Sequence, residues 1–185
     1  LMISGYVNAY KAINDEVFIN EAINAGEFIY SNLVKRDGGL FHNYVNGQSK
    51  INGYLEDYAM VIQASLDLYE ITLNQLWIER ALKLSEYVIN NFSSSESELF
   101  YFTSKKDEDL ISRSVEFRDN VIPSSNSIMA KNLFRLYHYF DKEEYYERSK
   151  NMSLSCNANS KNTFIIFCLK YYLLAYLLIH QNLFR

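Results

Sequence analysis

Two short stretches carry the residue types from which acid–base chemistry is built. One is Gly53-Tyr-Leu-Glu-Asp-Tyr58, with Glu56 and Asp57 side by side. The other is Phe117-Arg-Asp-Asn-Val-Ile-Pro-Ser-Ser-Asn-Ser127, which holds Asp119, the chain's only proline, three serines and Asn126. Cleavage of a glycosidic bond uses two facing carboxyl groups, about 5–10 Å apart, one as acid and the other as base or nucleophile. Asp57 and Asp119 are the candidate catalytic pair. Glu56, Tyr58, His42, Ser124, Asn126 and Ser127 are candidate substrate-binding groups, because carboxylates, amides and hydroxyls exchange hydrogen bonds with a polar ligand. Tyr44, Tyr54, Tyr58 and Phe117 flank them and offer rings for stacking.

The same residues also fit a purely structural role. Asp57 falls near the start of a helix, where a carboxylate meets free amides and the positive end of the dipole. Asp119 and the Ser-Ser-Asn-Ser run precede another helix and fit a loop tied by side chain-to-backbone bonds plus a cap. Density argues for more than a cap, which needs one or two such residues where this stretch has five. No metal or cofactor is expected. Cys156 and Cys168 stand neither as a CxxC pair nor in a zinc pattern, and reduced, inert cysteines fit a cytoplasmic protein.

Helices must position these groups. Six glycines and one proline in 185 residues favour long helices over many turns. Apolar residues at helical spacing run from Leu1 to Ile13 and from Val17 to Val34, with Asp37-Gly-Gly39 read as the end of the second helix. Leu40 to Tyr44 alternates like a strand, and Asn46-Gly47 is a hairpin turn signal. A second helical pair starts near Tyr54, a second short strand is expected at Leu99–Phe102, and Ile128–Phe140 opens a third pair.

These units repeat. Tyr10 and Tyr69, Ala22 and Ala81, Phe28 and Tyr87, and Leu40 and Leu99 are each 59 residues apart, and a third copy follows at an offset of 68. A lone helical pair cannot cover its own apolar face, so copies must stack. The expected fold is all-α: a partial (α/α) toroid of antiparallel helical hairpins with short β insertions. Residues 1–152 form the toroid part, with helical-pair repeats at about 1–44, 54–102 and 123–152. Residues 153–185 form a divergent apolar tail that breaks the pattern. Its run Thr163–Ile179 has one charge, Lys170, and falls short of the roughly 20 apolar residues of a membrane span. A buried or self-associating helix is the first reading of that run. Net charge is −4 with no basic stripe, so nucleic acid is not an expected partner; a sugar or another small polar ligand is.

Gly53-Tyr-Leu-Glu-Asp-Tyr-Ala59, Leu66-Asp-Leu-Tyr-Glu70 and Asp119-x-x-x-Pro-Ser-x-Asn-Ser127, in that order, resemble the thioredoxin-domain-containing, spermatogenesis-associated protein 20-like family. The resemblance runs from Leu1 to about Met152, and departs from the family pattern at Asn120, where a glycine is usual. It implies a six-hairpin glycosidase-like domain, carbohydrate-related in function, here without the N-terminal thioredoxin-like domain. In sugar epimerases of this fold class histidines transfer the proton, but with only His42, His138 and His180 present no such pair is evident. A non-catalytic scaffold and a degraded fragment without activity of its own are the alternatives.

Overall fold

The computed structural model describes residues 1–107, 113–119 and 122–159. Six helices lie among them: α1 (Met2–Ile13), α2 (Glu16–Asn32), α3 (Leu55–Thr72), α4 (Gln75–Phe92), α5 (Ser125–Phe140) and α6 (Glu143–Asn159). They form three antiparallel hairpins, each turned within two residues. Asn14, Leu73 and Asp141 take the left-handed conformation after α1, α3 and α5, and each returns its amide to a carbonyl of the helix just ended. In the first two hairpins the next residue caps the following helix: Asp15 accepts the Val17 amide at 3.0 Å, and Asn74 accepts that of Leu76 at 3.1 Å.

Helices α1, α3 and α5 pack side by side as an inner row, and α2, α4 and α6 back them in turn. Between α2 and α3 stands an antiparallel hairpin, β1 (Phe41–Val45) and β2 (Gln48–Asn52), with Phe41 opposite Asn52 and Val45 opposite Gln48. Its turn residues Asn46 and Gly47 both have positive φ, 51° and 77°, as a two-residue turn matching strand twist requires. The main core joins Leu55, Tyr58, Ile62 and Leu66 of α3 to Leu84, Val88 and Phe92 of α4, to Leu133 and Leu136 of α5, and to Tyr145 and Met152 of α6. A second core joins Ile3, Val7 and Ala22 to Ala64, Leu68 and Trp77. The 59-residue period thus corresponds to one hairpin plus its returning loop.

The inner row is also bound by charge. Arg135 of α5 places its two terminal nitrogens on Asp67 at 2.8 Å and Glu70 at 2.6 Å, both on α3, with its own side chain only 6% exposed. Ser4 of α1 donates to the other oxygen of Asp67 at 2.6 Å, and Lys11 reaches Glu70 at 3.4 Å. Burial works against charge on Arg135, but the two carboxylates outweigh it and its pKa is raised. Burial likewise pushes Glu70 up, and Arg135 overrides it to hold the carboxyl below its ordinary value.

Three features differ from the sequence reading. α2 ends at Asn32, ahead of the glycines; Gly38 at φ 86° instead turns a small loop whose ends are bridged from Val34 to Leu40. Leu99–Phe102 forms no strand, only an isolated bridge from Ser93 to Phe100, while on the opposite edge the Phe100 amide and carbonyl are taken by the Asn126 side chain. α6 continues to Asn159, so residue 152 lies inside a helix. The apolar run 163–179, Cys168 and His180 lie outside the described residues; among those described, no helix is long and apolar enough to cross a membrane.

The ion cluster yields a stability prediction. Arg135→Ala removes the buried cation that bridges Asp67 and Glu70, and should cost about 3 kcal/mol, the low end for breaking a buried pair because Glu70 keeps Lys11 and remains partly in water. Denaturant titration of the variant measures it.

Candidate functional site

Asp57 lies in the first turn of α3. Its Oδ2 accepts the Tyr54 amide at 2.8 Å, closing the open N-terminus, and the same oxygen lies 2.9 Å from Nδ1 of His42 on β1. That contact follows from the fold: the hairpin returns straight into α3, and the Leu40 carbonyl accepts the Gly53 amide at 2.8 Å, holding the strand against the helix start. The Asp57 hydrogen bond and its charge raise the His42 pKa above the ordinary imidazole value, with Glu56 adding to the effect. A raised pKa means that the charged pair supports the fold below the ordinary imidazole value, and that this support fades as pH rises through the raised one. Glu56 is also pushed up, first by partial burial, then by the charges of Asp57 and Glu116, with His42 opposing.

Rings line the same rim. Tyr54 stacks on Phe102 at 5.0 Å and 12°, and His42 sits edge-on to Tyr54 at 5.1 Å. Below the His42–Asp57 pair, a cavity of about 200 Å³ runs between α1, β1 and α3, with Ile3, Leu40, Met60, Val61 and Ala64 as its apolar wall.

The second stretch folds in on itself. Asp119 Oδ1 accepts the Ser124 amide at 2.7 Å and the Ser127 hydroxyl at 2.9 Å. Ser124 is the N-cap of α5, its hydroxyl oxygen accepting the Ser127 amide at 3.3 Å. Asn126, 0% exposed, accepts the Phe100 amide at 2.8 Å and donates to the Phe100 carbonyl at 3.0 Å and the Glu116 carbonyl at 2.7 Å. Ser125 donates its hydroxyl to Glu116 Oε2 at 2.9 Å.

His42, Glu56, Asp57 and Tyr54 therefore come together at one rim. Asp119, Ser124, Asn126 and Ser127 form a knot at the start of α5 whose polar groups bond to one another and to backbone, with Glu116 between it and the rim. Tyr58 is buried: its hydroxyl accepts the Leu40 amide at 2.7 Å and its ring stacks on Tyr87 at 5.4 Å. Tyr44 packs edge-on to Phe28, Phe117 sits partly buried against the main core, and His138 lies on α5, edge-on to Phe134. The residue that the sequence reading missed is Glu116. It has no helical or strand periodicity around it, and only the loop path that brings it within electrostatic reach of Glu56 gives it meaning.

Hairpins in an inner and an outer row, with loops and a β-hairpin gathered at the end where the inner helices begin, make this a partial α/α toroid of the six-hairpin glycosidase-like kind. Solved structures agree. A family 76 α-mannanase of Bacteroides thetaiotaomicron matches at a TM-score of 0.68 and 18% identity, over 88% of this chain and 44% of its own. Cellobiose 2-epimerase of Bacillus thermoamylovorans matches at 0.67 and 17% identity, over 82% and 41%. No protein-family model matches the chain. Among curated proteins, an uncharacterized Caenorhabditis elegans protein is 32% identical over 158 residues, 80% of this chain and 21% of its own length. Human spermatogenesis-associated protein 20 is 30% identical over 159 residues, 80% of this chain and 20% of its own length. The chain is a homologue of spermatogenesis-associated protein 20. It spans about a fifth of the length of these curated relatives.

Two outcomes test the geometry. Asn126→Ala removes three hydrogen bonds and strands buried backbone groups of Phe100 and Glu116, which at about 1–3 kcal/mol for each stranded group should destabilise by roughly 3 kcal/mol or more in thermal unfolding. Asp57→Asn keeps a capping oxygen but removes the charge. NMR titration should then show the pKa values of both His42 and Glu56 falling toward their ordinary values; an unmoved His42 would show that Asp57 does not set its charge.

Proposed function

We propose that the rim of His42, Glu56, Asp57 and Glu116 is a general acid–base site acting on a carbohydrate. We further propose that the full-length protein, cytoplasmic, joins this helical domain to a thioredoxin-like domain. The observation that carries the reading is the His42–Asp57 pair, with Glu56 beside it and Glu116 within electrostatic reach of Glu56, next to the Tyr54–Phe102 stack. Glu56, with its pKa raised, holds its proton closer to neutral pH than an ordinary glutamate does, which suits a proton donor. Asp57 orients His42 and favours its charged form, so the imidazole is the group that receives and returns a proton. Glu116 enters from a different loop and is the candidate opposing carboxylate. Asp119 then acts as a positioning residue: it fixes Ser124 and Ser127, hence the start of α5 and the Ser125 hydroxyl that Glu116 accepts. Tyr54 and Phe102 form a wall against which a sugar ring can rest.

One observation favours a second reading, a non-catalytic scaffold. Asp119, Ser124, Asn126 and Ser127 all hydrogen-bond within the fold, as a module built for rigidity would have it. A screen of mannose, cellobiose and manno-oligosaccharides by saturation-transfer NMR, on this chain and on a full-length homologue, separates the two. The acid–base reading expects a bound sugar that perturbs His42. For the sugar that is turned over, Glu56→Gln should lower kcat by about 100-fold or more while binding changes little. No sugar bound by either protein would leave the scaffold reading.

A further inference from the structure

The loops of the first and second hairpins enclose a second cavity, of about 250 Å³, which shares no lining residue with the one beneath His42 and Asp57. It lies on the α4 side of Tyr58, walled by Lys35 and Asp37 from the loop after α2, Asn52 from β2, Tyr87 from α4, and Lys106 and Asp107 from the loop after α4. Its polar atoms form two relays. On one side Lys35 donates to Asn52 Oδ1, and Asn52 Nδ2 donates to Asp107, whose other oxygen accepts the Ser104 amide at 2.9 Å. On the other, Lys106 donates to Asp37 at 2.8 Å, and the second oxygen of Asp37 accepts the Gly39 amide at 3.1 Å. The two aspartates are thus held by backbone, while Lys106 reaches Asp37 directly and Lys35 reaches Asp107 through Asn52.

We propose that this cavity is a binding site for a small neutral polyhydroxylated molecule, held through vicinal hydroxyls. The charges set the class. Two lysines face two aspartates, so an anion meets both carboxylates and a cation both ammonium groups, and neither gains on balance. A hydroxyl donates and accepts at once, and two on adjacent carbons span an ammonium and a carboxylate together. The Lys106–Asp37 pair is open to water, each side chain 47% exposed, and an ion pair so placed is worth about 0–1 kcal/mol. Opening it to admit hydroxyls therefore costs little. Size sets the rest: drug-sized ligands use pockets of roughly 300–1,000 Å³, so this cavity takes something smaller, of about one sugar ring or a short polyol. The site is independent of the acid–base rim.

Amide NMR of the chain titrated separately with methyl α-D-mannopyranoside, glycerol and sodium phosphate tests the assignment. The expected result is saturable shifts at Gly39, Gly53, Ser104 and Lys106 with a polyol. Lys106→Met and Lys35→Met, which keep an apolar stem at exposed positions, should each weaken that binding by roughly tenfold, the loss of one charge-assisted hydrogen bond. Circular dichroism checks that both variants fold. Glu56→Gln at the rim should leave the shifts unchanged, so failure here and failure at the rim remain distinguishable. Equal binding of glycerol and mannoside keeps the site and assigns it to acyclic as well as cyclic polyols. Shifts from phosphate alone, no shifts from either polyol, or binding untouched by both lysine variants would each overturn the proposal.

Discussion

Burial of α3 on nearly every side is the constraint on which the rest of the structure depends. Leu55, Tyr58, Ala59, Ile62 and Leu66 turn toward the main core, while Ala64 and Leu68 of the same helix turn toward the second. A helix that serves two cores cannot rotate without exposing one of them, and burying a Leu- or Ile-sized side chain is worth about 1.5–3 kcal/mol. Polar bonds pin the same orientation: Asn132 of α5 donates to the Ala59 carbonyl at 2.8 Å, and the Leu55 amide reaches the Phe102 carbonyl at 2.9 Å. The azimuth of Glu56 and Asp57 on the rim is thus decided by hydrophobic residues that take no part in any chemistry.

Much of this was legible because it rests on local rules. Asn14-Asp15 and Asn46-Gly47 mark turns by conformational preference, and the apolar spacing of the helices reports which face is covered. The 59-residue repeat carried the hairpin architecture. The polar run from Asp119 to Ser127 was harder to read, because counting polar side chains cannot tell a ligand's partner from the backbone's. Asn126 shows why. Its amide stands in for a strand, taking the Phe100 amide and carbonyl as a neighbouring backbone would, and that depends on a contact 26 residues away in sequence. Leu99–Phe102 has the side-chain pattern of a strand, but its backbone bonds are shared out among Phe92, Ser94, Ser114, Leu55 and the Asn126 side chain rather than given to one neighbouring strand. Glu116 carried no local signal, and its position follows from the path of the 113–119 segment alone.

The two ends of the inner row divide the polar work. Toward the C-terminal half of α3, Arg135, Asp67, Glu70, Ser4 and Lys11 form a network in which each carboxylate meets at least one cation, so charge there ties α1, α3 and α5 together. At the N-terminal end the balance reverses among the described residues: Glu56 and Asp57 flank His42, and Glu116 lies within electrostatic reach of Glu56. There burial and the surplus of carboxylates raise the proton affinity of Glu56, and Asp57 raises that of His42. The first arrangement suits a fixed joint, the second a place where protons move.

Within that rim, Asp57 does two jobs that determine each other. As a helix cap it must accept the Tyr54 amide, which fixes its carboxylate at the start of α3 and favours negative charge there. A charge so fixed is what the His42 ring, carried in by β1, meets at 2.9 Å. The neighbouring Glu56 is pushed up first by partial burial and then by the charges of Asp57 and Glu116, so it holds its proton more tightly than an ordinary glutamate. A carboxyl with raised proton affinity beside a capping carboxylate is the kind of asymmetry on which the proposed acid–base chemistry rests. Here it follows from a cap, a hairpin and a loop, none of which demands more than ordinary backbone hydrogen bonding.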